Sequence, residues 1–293
     1  MVNVSVVIPA YNAERHLADA VRSALGQSVT PNEVLVVDDG SDDTTGAIAQ
    51  GFGARVRYVR QSNQGVAVAR NRGIELATSD LIAFLDADDQ WMPSKLAVQL
   101  GALNETGAHV CYSDLSLIDS GGQEIGVHRQ PPQYDIGNAL FYAGNVVGTP
   151  SSVVVSREAL ARSGGFRPDL SFSADWDLWI RLARAHRFVH VRQPLVRYRV
   201  HSSNMSRNTV VLERDSIKML TDAIADPFTP DPIRRDRRLI LSRQWSVIAG
   251  CHREAGNLRS AIRSGLRSIA LHPQSTPSVI GRAVNGRTAH TSI

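Results

Sequence analysis

The chain has 293 residues, of which 43% are hydrophobic and 20% charged, and its net charge is +4. That balance belongs to a globular protein and excludes disordered and collagen-like classes. No apolar run approaches the ~20 residues that a helix needs to span a bilayer. Charge is unevenly placed. Residues 1–206 carry 18 Lys and Arg against 21 Asp and Glu, whereas residues 207–293 carry 14 against 7. The basic C-terminal third therefore suits an anionic partner such as a membrane surface, or simply a solvated helical face. Nothing in the pattern points to nucleic acid.

The chain opens with MVNVSVVIPAYN. It lacks a basic start and its apolar run is broken by Pro9, so it reads as a buried strand and not a signal peptide. After it, Leu17, Ala20, Val21 and Leu25 recur at helical spacing, with a stop near Gly26. EVLVVD follows as a strand, DDTTGAIAQGF as a helix and RVRYVR as a strand. GVAVARNRGIELA is next, a helix, and LIAFLD is another buried strand. Such alternation predicts an α/β protein with a mostly parallel sheet flanked by helices.

The middle is less regular. HVCYSDLSLID and EIGVHR, around SGGQ, suggest antiparallel strands on a glycine turn. TPSSVVVSREALARSGGF reads as strand, helix and glycine stop. FSADWDLWIRLA is a helix, and RFVHV and LVRYRVH are two short strands. From residue 207 the pattern is helical, which sets expected domains of 1–206 and 207–293. AGNLRSAIRSGLRSIALHP resembles the second helix of a tetratricopeptide unit, in a single copy. The last dozen residues are expected to fray. Cys111 and Cys251 have no metal-ligand spacing and read as reduced core residues of a cytoplasmic protein.

Polar clusters follow the predicted strands. PAYN (9–12) ends strand one, DDGSDDTT (38–45) ends strand two, and DADD (86–89) follows LIAFL. In a parallel sheet these loops meet at one edge, beyond the carboxyl ends of the strands, where ligands gather. Massed carboxylates are costly unless a cation or donor groups neutralise them. Hard oxygen ligands of this kind suit Mg²⁺ or Mn²⁺ held jointly with substrate phosphates. An acidic turn capping the next helix would explain one such cluster, but less readily two at the same edge.

Taken together, VSVVIPAYN, VVDDGSDDTT, SNQGVAVARNRGIELATSD, LIAFLDADD, SADWDLWIRLA and YRVHSSNMS resemble the family 2 glycosyltransferases, in that family's order, from residue 3 to about 207. The resemblance implies a GT-A fold and an inverting, metal-dependent transfer from a nucleotide-diphosphate sugar, preferably a UDP-sugar, to a hydroxyl acceptor. It implies that Pro9, Tyr11 and Asp39 hold the nucleotide base, with Gly65, Arg70 and Asn71 near it. Asp86, Ala87 and Asp88 match the DxD-type motif on the ribose and diphosphate. Asp88 and Asp89, joined by His201, are the expected ligands for Mn²⁺ or Mg²⁺. Products of the family belong to cell-surface glycan or glycolipid assembly, with lipid-linked acceptors at the inner face of the cell membrane. A nicotinamide-binding fold would need G-x-G-x-x-G after strand one, and a P-loop enzyme G-x-x-x-x-G-K-[ST]; neither is present. A sugar-nucleotide pyrophosphorylase would open with a glycine-rich basic loop, which is also missing. A degenerate domain acting as a scaffold would not need Asp39, Asp88, Asp89 and Asp175.

The FSADWDLWIRLA helix holds two acids. At about 100° per residue, Asp175 falls inside the arc of Leu178, Leu182, Trp179, Trp176 and Ile180, while Asp177 falls opposite, four residues before Arg181. Asp177 and Arg181 are therefore expected to form a surface pair. Asp175 is expected to face inward from the first turn, with Ser173 as the N-cap, as the general base of the transfer. The family commonly carries Glu immediately before this Asp; here the residue is Ala174.

Overall fold

The computed structural model describes residues 3–130, 135–201 and 208–275. They divide into two compact units. The first comprises residues 1–132, 147–169 and 181–201, and the second residues 133–146, 170–180 and 202–293.

The first unit is built on a nine-stranded sheet of order β3-β2-β1-β4-β8-β6-β9-β5, with β7 on β6. Its first half is parallel: β3 (Arg57–Arg60), β2 (Glu33–Asp38), β1 (Val4–Ala10) and β4 (Leu81–Phe84). β1 and β2 are rich in β-branched residues, as suits strands buried on both faces. Helices α1 (Leu17–Leu25), α2 (Thr45–Gln50) and α3 (Val66–Leu76) are the crossovers that parallel pairing requires. α3 lies close on β1 because Gly73 has no side chain; a Cβ there would collide with Cγ1 of Val7.

Beyond β4 the sheet becomes mixed. β8 (Val154–Ser156) runs antiparallel to β4, and β6 (Val110–Ile118) antiparallel to β8. β9 (Phe188–Arg199) then lies parallel to β6, with β5 (Gln90–Trp91) antiparallel at the edge and β7 (Glu124–His128) antiparallel on β6. The two short strands expected at 187–191 and 195–201 are one strand, with Pro194 where the pairing with β6 slips near Asp114. Helix α4 (Lys95–Thr106), between DADD and β6, is not anticipated from the pattern; α6 (Arg157–Ser163) is, and it ends at left-handed Gly164.

The second unit is helical: α5 (Ile136–Tyr142), most of α7 (Ala174–Ala183), α8 (Thr209–Ala225), α9 (Asp231–Arg235), α10 (Arg237–Glu254) and α11 (Leu258–Leu271). The expected boundary at 207 and the expected frayed tail fall outside the described residues, but 208–275 is helical as expected. α5 and the start of α7 group with these helices and not with the sheet. α10 and α11 are joined by three residues and lie antiparallel. The hydroxyls of Ser242 and Ser268 each donate to the other residue's carbonyl, at 2.8 and 2.7 Å. No helix among the described residues is long and apolar enough to cross a membrane.

Candidate active site

Three strand ends build the first part of the site. The PAYN and DDGSDDTT loops are tied together by backbone-to-side-chain bonds. Asn12 N donates to Ser41 Oγ at 3.0 Å, Asp42 N to Asn12 Oδ1 at 2.9 Å, and Ala13 N to Thr45 Oγ1 at 2.8 Å. Asn12 takes a left-handed φ of 47°, which Asn tolerates better than most residues. Pro9 is buried in β1, whereas Tyr11 is 50% exposed at the strand's end.

The two acids that close β2 have different tasks. Asp38 accepts from Ser41 N at 2.8 Å and from the Tyr58 hydroxyl at 2.6 Å. Burial alone would raise its pKa, but the bonds from Ser41 and Tyr58 outweigh that and keep it ionised. The same burial and the same bond push the Tyr58 hydroxyl up to about 12. Asp39 gathers the β3–α3 loop. Its Oδ1 accepts from Gln61 Nε2 at 2.8 Å and Gln64 N at 3.0 Å, and its Oδ2 from Gly65 N at 2.7 Å. Gly65 is the N-cap of α3 with φ +90°, a conformation that L side chains rarely adopt, and the space beside its Cα is open.

The DADD loop follows β4. Asp86 Oδ1 accepts from Arg70 at 2.6 Å, and Arg70 is buried with its guanidinium over the Phe166 ring. Thr149 Oγ1 reaches Asp86 Oδ2 at 3.3 Å, and Ser151 Oγ receives the Asp86 N–H. Ala87 is buried. Asp88 keeps its carboxylate 36% exposed, 3.0 Å from His201 Nε2. Asp89 turns inward at 1% exposure. Its Oδ1 accepts from Arg199 N at 3.0 Å, and its Oδ2 is buried without a hydrogen-bond partner among the described residues. Burial first, then the charges of Asp88 and Asp86, hold its carboxyl well above the usual range.

The Asn71 side chain is engaged by the backbone of Phe166: both ends of its amide are bonded to it, at 2.7 and 2.8 Å, so it is a clamp on the chain after α6.

Two residues here are not singled out by sequence pattern. Arg199 is buried at the end of β9 and straps the loop, donating from Nε to Asp88 O and from Nη1 to Asp119 O and Ser120 O. His16, at the N-cap of α1, stacks on His201 with ring centroids 6.2 Å apart. Burial and the Arg199 charge lower its pKa against the pull of Asp88. No local signal marks either residue, because each acts through a partner distant in the chain.

No group of three His, Cys, Asp or Glu side chains among the described residues is arranged to hold a metal by itself. Asp88 and His201 offer one oxygen and one nitrogen, a donor pair that fits a Mg²⁺- or Mn²⁺-type ion whose remaining ligands come from a substrate diphosphate.

In the second unit, Asp175 lies in the first turn of α7, partly exposed, and its Oδ2 accepts from Asn145 Nδ2 at 3.0 Å. The segment before it is held by Asp215 of α8. One carboxylate oxygen of Asp215 accepts from Ser171 N, Ser171 Oγ and Phe172 N at 2.8–2.9 Å. Trp176 is fixed by its indole N–H on Leu140 O.

Two expectations for this helix are overturned. Asp177 is not a surface residue but 4% exposed; the Arg181 guanidinium, expected to meet it in solvent, also donates to the carbonyls of Ser163 and Gly165. A residue opposite the apolar arc is exposed only where a helix has a solvent side, and this helix has almost none: Ala174, Trp176, Leu178, Trp179, Ile180 and Leu182 are all buried. Ser173 accepts the first helical bond through its carbonyl, but its hydroxyl, buried, makes no hydrogen bond among the described residues and so does not cap.

A parallel α/β half extended by antiparallel strands, with acids at its carboxyl edge, defines the GT-A class of sugar-transferring folds. Residues 5–164 match the family described as Glycosyl transferase family 2. A putative teichuronic acid biosynthesis glycosyltransferase, TuaG of Bacillus subtilis, is 31% identical over 214 residues, covering 70% of this chain and 82% of that protein. A chondroitin synthase of Escherichia coli is 27% identical over 227 residues; the match takes 76% of this chain and 32% of the synthase. Staphylococcus aureus TarS 1–349, solved in complex with UDP, has the same fold with a TM-score of 0.63 at 15% identity, covering 98% of this chain and 93% of that one. The chain belongs to glycosyltransferase family 2 and is a glycosyltransferase.

Proposed function

We propose that the protein transfers a sugar from a UDP-sugar to a hydroxyl of a cell-surface glycan or glycolipid, inverting the anomeric carbon, with Mn²⁺ or Mg²⁺ at Asp88 and His201. The observation that carries this reading is the gathering of Tyr11, Asp39, Asp86 and Asp88 at the carboxyl ends of β1, β2 and β4. Support for the donor comes from the TarS structures with UDP and with UDP-GlcNAc. Support for a surface glycan comes from the teichuronic acid and chondroitin enzymes.

Each residue has a defined part. Asp39 Oδ2 accepts one hydrogen bond, from Gly65, and retains a lone pair for the imide N–H of uracil. Tyr11 supplies an exposed ring beside it, and the open space at Gly65 leaves room for the nucleotide. Asp86, oriented by Arg70 and Thr149, meets the ribose. A bound divalent ion would offset negative charge on the departing diphosphate. Asp175 takes the proton of the acceptor hydroxyl as it attacks, and Asn145 orients the carboxylate for that step. Asp89 anchors β9 through Arg199 N. The reading extends to work in the cytoplasm, with region 207–293 turned to the inner face of the cell membrane, where lipid-linked acceptors reside.

The test is a thermal-shift panel of nucleoside diphosphates with and without Mn²⁺. UDP is expected to stabilise the protein, more strongly with the ion. Silence across the panel would overturn the reading.

A further inference from the structure

Helix α11 is packed the wrong way round for a globular protein. Its buried residues are Ser264, Gly265 and Ser268, and Ser268 bonds to Ser242 of α10. Three of its large apolar residues lie outside: Leu258, Ile262 and Leu266 are 63%, 64% and 62% exposed. Their spacing of four places them in one row along the helix. Arg259, Arg263 and Arg267 form a second row about 100° further round. An amphipathic helix on a folded domain ordinarily buries its apolar stripe, so an exposed stripe of this regularity marks a binding face.

We propose that this face of α11 docks on an anionic phospholipid surface, lying in the interfacial plane with the Leu258–Ile262–Leu266 row among the acyl chains and the arginine row at the phosphates. The proposal deepens the membrane part of the function above and rests on it. Charge complementarity selects the occupant. Arg263 and Arg267 approach Glu213 at 3.3–3.4 Å, yet stay about half exposed, and one carboxylate among three arginines leaves the face positive. Arg267 lies flat on the Trp245 ring, 4.5 Å from its centroid, which holds its guanidinium at the helix flank. A long apolar row bordered by cations that extend to headgroup level is the pattern of an interfacial helix. A stable protein partner would need roughly 800 Å² per side, and three side chains on a fourteen-residue helix supply a minor part of that.

The experiment is vesicle flotation with the full 293-residue chain. Phosphatidylcholine vesicles with about a third phosphatidylglycerol are compared with phosphatidylcholine alone. The wild type is expected to float with the anionic vesicles only, and less so in high salt. Ile262→Gln with Leu266→Gln is expected to reduce binding by about tenfold or more, and Arg259→Glu severalfold. All three positions are exposed, so melting temperatures should not change. Equal binding to both vesicle types, no binding by the wild type, or undiminished binding by the double variant would overturn the proposal. So would a concentration-dependent dimer, seen by sedimentation and dissolved by the double variant in a protein that ignores vesicles; the face would then be a contact between two copies. UDP-dependent thermal stabilisation, measured on the same samples, separates the two readings. Its loss with vesicle binding intact counts against the UDP-sugar assignment alone.

Discussion

Nε2 of His201, two residues past β9, lies 3.0 Å from Oδ2 of Asp88, in the loop after β4, across 113 residues of chain. The pair is held on both sides. Arg199 straps the Asp88 carbonyl, and His16 stacks on the His201 ring. Asp88→Asn and His201→Ala are each expected to weaken Mn²⁺ binding in the presence of UDP by about 10–100-fold. Titration calorimetry of Mn²⁺ into the UDP-saturated protein checks this. Unchanged affinity in both variants would remove the pair from the metal assignment.

The two acids of α7 should separate by readout. Asp175→Asn is expected to abolish transfer and leave UDP binding intact, and Asn145→Ala to lower kcat by about tenfold with little effect on melting. Asp177→Asn is expected to act on stability instead, because its carboxylate is 4% exposed. Perturbing a buried polar group costs about 1–3 kcal/mol. Denaturant melts together with single-turnover transfer assays distinguish these patterns; equal losses of activity at 175 and 177 would refute the assignment of the base.

Asp215 is a positioning residue for the same helix. Burial opposes its ionisation, but hydrogen bonds from Ser171, Phe172 and Arg214 outweigh it and bring its pKa below the ordinary value. A carboxylate with a depressed folded pKa adds stability above the unfolded value near 4, and loses it as pH falls through the folded one. Asp215→Asn should therefore lower stability by about 1–3 kcal/mol at pH 7, and the difference from the wild type should shrink as pH falls through the folded pKa. It should also reduce kcat more than donor affinity, since the segment leading into Asp175 is released.

Lys95 offers the opposite sign. It is fully buried in the first unit, its ammonium 4.0 Å from the centre of the Trp91 ring and without a hydrogen-bond partner among the described residues. Burial brings its pKa down to about 7, with Cys111 pulling weakly the other way. The unfolded chain binds this proton up to about pH 10, so stability should rise with pH between about 7 and 10 and stay flat below. Lys95→Met should remove that slope and stabilise the protein by a few kcal/mol at pH 7. Urea melts at several pH values read it directly.

Much of the first half was legible because its signals are local. β1 and β2 announce themselves as β-branched runs, and α1 and α3 by helical spacing. A parallel sheet must bring the loops after β1, β2 and β4 to one edge, so Tyr11, Asp39, Asp86 and Asp88 could be grouped from order alone. What stayed hidden was any role set by a distant partner: Arg199 under Asp88, His16 on His201, Asn71 on Phe166 and Asp215 beneath the start of α7.

Helices α7 and α11 mark the division most clearly. From the sequence, both are amphipathic, and the period of their apolar residues determines that each is a helix. It does not determine which face is covered. α7 is buried on nearly every side, so its polar-side acid Asp177 is buried too. α11 packs its serines inward and leaves Leu258, Ile262 and Leu266 in solvent. Hydrophobic spacing is a property of the chain, whereas burial depends on what the rest of the chain brings against each face. The sequence alone determined the transferase family, the sheet edge and its acids; only the tertiary structure decided which of those acids meet solvent.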